Sequence, residues 1–144
     1  CYLYDDNAMV LNVGDSRAYV INKEICEQIT SDHSMVQELM EKGLLSEEEA
    51  ENYPQKNVIT RAVGVDGDVS GDITARTLRP GDYILLCSDG LTDHVPMEKM
   101  SILFGGGDNM EQILDAMFEL ALTLGGTDNI TAVLAHCKGE ELEG

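Results

Sequence analysis

Basic side chains are scarce in this sequence, which has nine Lys and Arg against 27 Asp and Glu and a formal net charge of -18. Such a charge repels a phosphate backbone, so the composition argues against a nucleic-acid partner. No segment approaches the roughly 20 consecutive apolar residues that a membrane-spanning helix needs, and no charged-then-apolar signal begins the chain. We therefore expect a cytoplasmic protein without a membrane partner.

Closely spaced cysteine pairs are also missing, because the four cysteines stand far apart at Cys1, Cys26, Cys87 and Cys137. The absence of a Cys-x-x-Cys pair and of His-rich spacing argues against zinc and predicts reduced, mostly buried thiols. Cys87 lies in an apolar run without a recognisable histidine partner, so we interpret it as a core residue and not as a nucleophile.

The chain has no initiator methionine, no internal repeat, no low-complexity tract and no interdomain linker. A length of 144 residues suffices for one compact domain with a real core. Because the sequence opens directly in what looks like a strand, we expect a piece of a longer protein.

The hydrophobic pattern predicts an α+β architecture in which helices cover an antiparallel sheet. Short Val-, Ile- and Tyr-rich runs over residues 1–30 predict an antiparallel meander. Helical periodicity follows from His33, where Gly43 is placed to end a first helix, and Ser46 with Glu49 forms the capping box of a second. Further elements are predicted in this order: a strand over 69–78, a strand over 83–87 covered on both faces, a helix from Pro96 to about Phe104, a helix capped by Asp108 with Glu111, a strand over 129–136, and a frayed acidic tail over 138–144.

Three aspartates stand where predicted strands meet turns: Asp15, Asp89 and Asp128. If the last strand runs antiparallel to strand 83–87, Asp89 and Asp128 share one sheet edge, and Asp93 reaches the same place if residues 89–92 form a tight turn. Neighbouring carboxylates repel unless a cation lies between them, and an all-oxygen ligand set suits Mg²⁺ or Mn²⁺. Bonding to the local backbone in turns is the alternative reading of these aspartates.

Three other side chains have two readings each. His33 could shuttle a proton, but its place at a helix start favours a structural role. Arg17 and Arg61 could bind phosphate, although bracing the backbone or pairing with one of the many acids is the simpler interpretation.

Five segments resemble, in order and approximate spacing, motifs of the bacterial metal-dependent protein phosphatases of type 2C. They are Asn12-Val13-Gly14-Asp15-Ser16-Arg17-Ala18-Tyr19, Thr30-Ser31-Asp32-His33-Ser34, Thr60-Arg61-Ala62-Val63-Gly64, Cys87-Ser88-Asp89-Gly90-Leu91-Thr92-Asp93 and Gly126-Thr127-Asp128-Asn129-Ile130-Thr131. The resemblance covers nearly the whole chain and implies the C-terminal half of one catalytic domain. It implies an antiparallel β-sandwich flanked by helices, of which this chain is an incomplete portion.

The resemblance also implies site roles. Asp89 and Asp128 would be direct ligands of a two-metal centre of Mn²⁺ or Mg²⁺, and Asp93 with Asp15 would hold a third, weaker ion. Residues 33–60 would be a mobile flap. The implied activity is hydrolysis of phosphoserine and phosphothreonine in proteins by a metal-activated water, without a covalent intermediate and in opposition to a serine/threonine kinase.

The family's N-terminal motifs are absent: neither an arginine followed by Asn-Glu-Asp nor an Asp-Gly-x-Gly-Gly segment occurs, and Asp66-Gly67 is followed by Asp68-Val69. We therefore expect the chain alone to be inactive. Its exposed sheet edges and apolar faces would be covered by the missing half, by a second copy or by a rearrangement of its own strands. A catalytically inactive regulatory or protein-binding domain is the alternative function.

Overall fold

The computed structural model describes residues 1–65, 67–105, 109–126 and 128–139. The strands in these ranges are β1 (Tyr2–Tyr4), β2 (Asn7–Asn12), β3 (Arg17–Ile21), β4 (Cys26–Gln28), β5 (Asp72–Thr77), β6 (Tyr83–Cys87) and β7 (Ala132–His136). The helices are α1 (Met35–Glu41), α2 (Glu47–Glu51), α3 (Asp89–Thr92), α4 (Met97–Gly105) and α5 (Met110–Thr123). None of the described helices is both long and apolar enough to cross a membrane.

The strands form two antiparallel sheets, with the orders β1-β2-β5 and β4-β3-β6-β7. The predicted meander over residues 1–30 is therefore wrong, because β2 and β3 follow each other in sequence but lie in different sheets. The chain changes sheet at Gly14, whose φ of +105° lies in a region that L side chains rarely adopt. Two hairpins, β1-β2 and β3-β4, replace the single meander.

The inner strands of the four-stranded sheet, β3 and β6, are largely buried on both faces, and β6 shows why. Tyr83, Leu85 and Cys87 point towards the helices, whereas Ile84 packs with residues of the three-stranded sheet such as Ala8. This alternation follows from the period of two along a strand. The prediction that this strand is covered on both faces is confirmed, and the layers run from the three-stranded sheet through the four-stranded sheet to α3, α4 and α5.

The helix ends follow local side-chain chemistry. Ser34 caps α1 by accepting a hydrogen bond from the Gln37 N–H. Ser46 and Glu49 form the predicted capping box at the start of α2. At α5, Asn109 accepts from the N–H of residue 112; the predicted cap at Asp108 lies outside the described residues.

The outer face of the three-stranded sheet carries apolar side chains that no described helix covers. Met9, Leu11 and Ile73 are 40%, 63% and 67% exposed. The α+β prediction is confirmed, with both sheets antiparallel and a helical layer against the four-stranded one. The bare face of the other sheet agrees with the expectation of an incomplete portion of a helix-flanked sandwich.

Candidate functional site

A cleft of about 320 Å³ lies beside the helical segment that follows His33. Three of the predicted site residues, Asp15, Asp89 and Asp93, line it together with Asp32 and Arg17. These residues come from three stretches of the chain, and the pairing of β3 with β6 brings the stretch at 15–17 to the stretch at 89–93. The cleft is therefore a tertiary product of the four-stranded sheet.

Asp15 enters the cleft from the turn between the two sheets. Its side chain is half-buried. Burial raises its pKa, a backbone hydrogen bond opposes the rise, and the negative charges of Asp89 and Asp32 add to it. The carboxylates in this cleft are thus close enough to repel one another, which is the electrostatic condition that a bound cation relieves.

Asp89 and Asp93 lie at opposite ends of the single-turn helix α3. An Oδ1 atom of Asp89 accepts the N–H of Gly90 at 2.9 Å, and the Asp93 N–H donates to the Asp89 backbone oxygen at 2.8 Å. The tight turn predicted for residues 89–92 is therefore present, and it brings both residues to the cleft.

Asp128 approaches the same sheet edge from the start of the last strand. β6 and β7 pair antiparallel, with Cys87 opposite Ala132, which meets the condition for Asp89 and Asp128 to share one edge. Ser88 fastens the edge, because its Oγ donates to the Asn129 oxygen at 3.0 Å and accepts the N–H of residue 131 at 3.1 Å. Asp128 itself is exposed and is not among the described residues that line the cleft.

A metal centre is not preassembled in the parts of the chain that the structure describes, where no three His, Cys, Asp or Glu side chains lie close enough to hold one ion. The donor set nevertheless fits hard divalent cations, because it consists of carboxylate oxygens. Burial is the main cause of the raised pKa of Asp15, and the added contribution of Asp89 and Asp32 indicates negative charge beside it that Arg17 only partly offsets. The assignment of Asp15, Asp89, Asp93 and Asp128 to metal ions stays a prediction.

Arg17 pairs with an acid, so the simpler of its two interpretations is confirmed. Its Nε and Nη2 donate to the two oxygens of Asp32 at 3.0 and 2.7 Å. Burial disfavours the charged guanidinium, but the hydrogen bonds and charge of Asp32 outweigh that cost and raise the pKa of Arg17. Asp32 is a cleft residue that the sequence analysis did not single out, although it stands inside the motif Thr30–Ser34 that carries the family resemblance.

His33 and Arg61 also have structural partners. His33 is 4% exposed, and its two ring nitrogens contact the Gly14 N–H and a carboxylate oxygen of Asp72. Arg61 donates to the other oxygen of Asp72 at 3.1 Å. These contacts favour the structural reading of both side chains.

Cys87 is buried in β6, and burial raises the pKa of its thiol to about 12. A thiol with that pKa stays protonated at neutral pH, so Cys87 is a poor nucleophile. The four cysteines are free, as expected from their spacing, but the expectation that most are buried is wrong, because Cys1 is exposed and Cys26 and Cys137 are only partly buried.

Comparison with known proteins finds relatives of this chain, although no protein-family model matches it. A putative protein phosphatase 2C-type from Streptococcus pyogenes is 37% identical over 141 residues, which is 98% of this chain and 57% of that protein. The crystal structure of serine/threonine phosphatase Stp1 from Staphylococcus aureus superposes with a TM-score of 0.91 at 43% identity, over 95% of this chain and 54% of the other.

The chain is homologous to the C-terminal half of bacterial type 2C serine/threonine phosphatases. It spans little more than half the length of the relatives that it matches. The catalytic domain of another such phosphatase, PstP, was solved in complex with two manganese ions. It is 34% identical to this chain and superposes with a TM-score of 0.82, over 95% of this chain and 56% of the other.

Proposed function

We propose that this chain supplies the C-terminal half of a metal-dependent phosphatase that acts on phosphoserine and phosphothreonine in proteins. The observation that carries the proposal is the cleft in which Asp15, Asp89 and Asp93 converge from separate motifs. The homology to type 2C phosphatases over almost the whole chain supports it.

The cleft residues act as ligands and orienting groups in this proposal. Asp89 and Asp128 would hold a two-metal centre of Mn²⁺ or Mg²⁺, and Asp93 with Asp15 would hold a third, weaker ion. When bound, such ions lower the pKa of a coordinated water and neutralise charge on a phosphoryl group. No nucleophilic side chain is required, which agrees with the buried, protonated state of Cys87.

The whole of residues 1–144 would be one part of a single catalytic domain, with residues 33–60 as a flap-like helical insert and 138–144 as an acidic tail. Contacts at the ends of the insert support its limits, because the Thr60 N–H donates to the His33 oxygen at 2.7 Å and the Met35 N–H to the Val58 oxygen at 2.9 Å. The insert thus leaves and re-enters the fold at one place, beside the cleft.

The chain alone would hydrolyse little or nothing, because it needs a partner segment. The exposed outer face of the three-stranded sheet and Val133, which is 58% exposed on the edge strand β7, would be covered by an N-terminal half or by a second copy. Phosphoproteins in the cytoplasm would be the substrates, and a serine/threonine kinase would catalyse the opposing reaction.

A regulatory or protein-binding domain without catalytic activity is the second candidate. The observation in its favour is that the described acidic side chains are not preassembled around an ion position. The convergence of Asp15, Asp89 and Asp93 on one cleft favours the enzyme.

A chimera tests the proposal. In this protein, called here the Stp1 chimera, the chain replaces the matching region of Staphylococcus aureus Stp1. We expect it to hydrolyse a phosphothreonine peptide with Mn²⁺ and to lose at least about a hundredfold in rate on Asp89→Asn. Asp115→Asn, on the exposed side of α5, removes the same charge as a control. Equal activity of these two variants would reject the assigned role of Asp89, and an inactive parent chimera would favour the regulatory domain.

A further inference from the structure

The imidazole of His33 is a buried link between three parts of the fold. Its Nδ1 accepts the Gly14 N–H at 3.1 Å, and its Nε2 lies 3.1 Å from Oδ2 of Asp72 at the start of β5. Because Nδ1 accepts a hydrogen bond, the neutral ring carries its proton on Nε2 and donates it to Asp72. Nδ1 therefore acts as the acceptor for Gly14, and Nε2 acts as the donor to Asp72.

The backbone of His33 makes contacts that reinforce those of the ring. Its N–H donates to the Gly14 oxygen at 2.9 Å, and its own oxygen accepts the Thr60 N–H at 2.7 Å. Both backbone polar groups of Gly14 are thus held by one residue. His33 is consequently where the turn between the sheets meets both ends of the insert formed by residues 33–60.

The Gly14 turn determines where the Asp15 carboxylate lies. Gly14 has a φ of +105°, and a methyl group on it would come 3.8 Å from the Arg61 oxygen, so the turn packs against the end of the insert. Asn12 adds a weaker brace, with its Nδ2 3.3 Å from the Gly14 oxygen. A carboxylate on such a turn can be moved by any change in the groups that hold the turn.

We propose that His33 is a positioning residue, whose Nδ1 holds the Gly14 turn and so places the carboxylate of Asp15 in the cleft. The link to Asp72 orients the ring but does not itself hold the turn. The effect on ion binding rests on the function proposed above, whereas the effect on the turn does not. Loss of partners that orient a metal ligand commonly costs about 10- to 100-fold in ion affinity.

Two substitutions in the Stp1 chimera separate the two ring nitrogens. In His33→Asn the amide oxygen can take the place of Nδ1 and accept the Gly14 N–H, while the contact to Asp72 is lost. In His33→Gln the amide nitrogen can take the place of Nε2 and donate to Asp72, while the acceptor for Gly14 is lost. Both variants replace the imidazole with a neutral amide, and the two amides differ by one methylene group. Each variant therefore serves as the control for the other.

Two readouts are measured in both variants: deuterium exchange of the amides over residues 13–16, with β6 as an internal standard of folding, and Mn²⁺ binding followed by the paramagnetic resonance of the free ion. We expect His33→Asn to keep slow exchange at Gly14 and an Mn²⁺ affinity within about threefold of the parent. We expect His33→Gln to speed exchange at Gly14, but not in β6, and to weaken one class of Mn²⁺ site by about tenfold or more.

The inference is overturned if Gly14 exchanges equally fast in the two variants, or if His33→Asn is the more damaged. A parent chimera that binds no Mn²⁺ would count against the proposed function alone, because exchange at Gly14 still decides the role of Nδ1. If His33→Gln speeds exchange at Gly14 but leaves the Mn²⁺ affinity normal, the claim that the Gly14 turn places the Asp15 carboxylate for ion binding is overturned.

Discussion

Gly90 and Asn129 lie so close that a methyl group on Gly90 would come 2.5 Å from the Asn129 backbone oxygen. The same methyl carbon would lie 3.4 Å from the Cβ of Asp128. The approach of α3 to the segment before β7 therefore depends on the absence of a side chain at position 90. This approach lies at the sheet edge to which the pairing of β6 with β7 brings the stretches carrying Asp89 and Asp128.

Substitution Gly90→Ala tests that relationship. Alanine favours helix over glycine, but the backbone oxygen facing position 90 cannot move away cheaply, so we expect a net loss of about 1–3 kcal/mol in unfolding free energy. The measurement is urea unfolding of the Stp1 chimera. Gly105→Ala is the matched control in helix α4, where an added Cβ meets nothing within 4 Å, and it should not destabilise. A similar stability of both variants would show that the contact at Gly90 does not constrain the fold.

The Arg17–Asp32 pair should contribute measurably to stability, because two guanidinium nitrogens bond one carboxylate and the side chains are only 28% and 12% exposed. Arg17→Lys keeps the charge but cannot make the two bonds of a planar fork, so we expect a loss of about 2 kcal/mol in unfolding free energy. Urea unfolding of the chimera is the measurement.

The ion pair of Lys42 with Glu38 provides the comparison, since its side chains are 63% and 44% exposed at a separation of 3.5 Å. Lys42→Gln should cost much less stability than Arg17→Lys, because solvent screens this exposed pair. If Arg17→Lys costs no more stability than Lys42→Gln, the two hydrogen bonds from Arg17 to Asp32 contribute no more than an exposed ion pair does.

Asp72 predicts a pH dependence of stability. Hydrogen bonds from His33, and then from Arg61, hold the pKa of this exposed carboxyl below its usual value. A carboxylate with a lowered folded-state pKa stabilises the fold above its unfolded-state pKa, and the contribution is lost as the pH falls through the folded-state value. Asp72→Asn should therefore lower the urea midpoint near neutral pH, and its difference from the parent should close below about pH 4.

Asp68→Asn is the control for that experiment, because Asp68 is exposed and makes no hydrogen bond or ion pair with the described residues. It should leave the midpoint nearly unchanged across the same pH range. A deficit of Asp72→Asn that is the same in acid as at neutral pH would contradict the role given to the charge.

Local signals in the sequence predicted the helices and strands, whereas pairing between distant segments determined which sheet each strand joins. The capping box at Ser46 and the two-sided burial of strand 83–87 depend on residues within a few positions, and both are confirmed. The meander failed because β2 pairs with β5, and β3 with β6, each more than 50 residues away in sequence. Periodicity identifies a strand but contains no information on its distant neighbour.

The candidate site divides in the same way. Asp15, Asp89 and Asp93 could be chosen because each follows a predicted strand or the tight turn after one. Asp32 could not, since its partner Arg17 is 15 residues away and only the folded hairpin brings them together. The family resemblance supplied roles that neither spacing nor composition contains.

Removing the charge of Asp15 should raise the thermal stability of the metal-free protein and lower it, relative to the parent, when metal ions are bound. Burial, together with the charges of Asp89 and Asp32, raises the pKa of Asp15, so its ionised form is unfavourable in the metal-free cleft. We therefore expect the Asp15→Asn variant of the Stp1 chimera to unfold at a higher temperature than the parent in EDTA.

With Mn²⁺ the order should reverse, because an ion present at a hundred times its dissociation constant adds about 2.7 kcal/mol to the stability of the protein that binds it. Thermal unfolding in EDTA and in Mn²⁺ gives the comparison, and Asp115→Asn, which lies on the exposed side of α5, should gain as much from Mn²⁺ as the parent. If Asp15→Asn gains as much as well, Asp15 holds no ion. A reversal, with Asp15→Asn unfolding above the parent in EDTA and below it in Mn²⁺, distinguishes an ion ligand from a structural residue. A residue kept only for folding should not lower the stability of the metal-free protein.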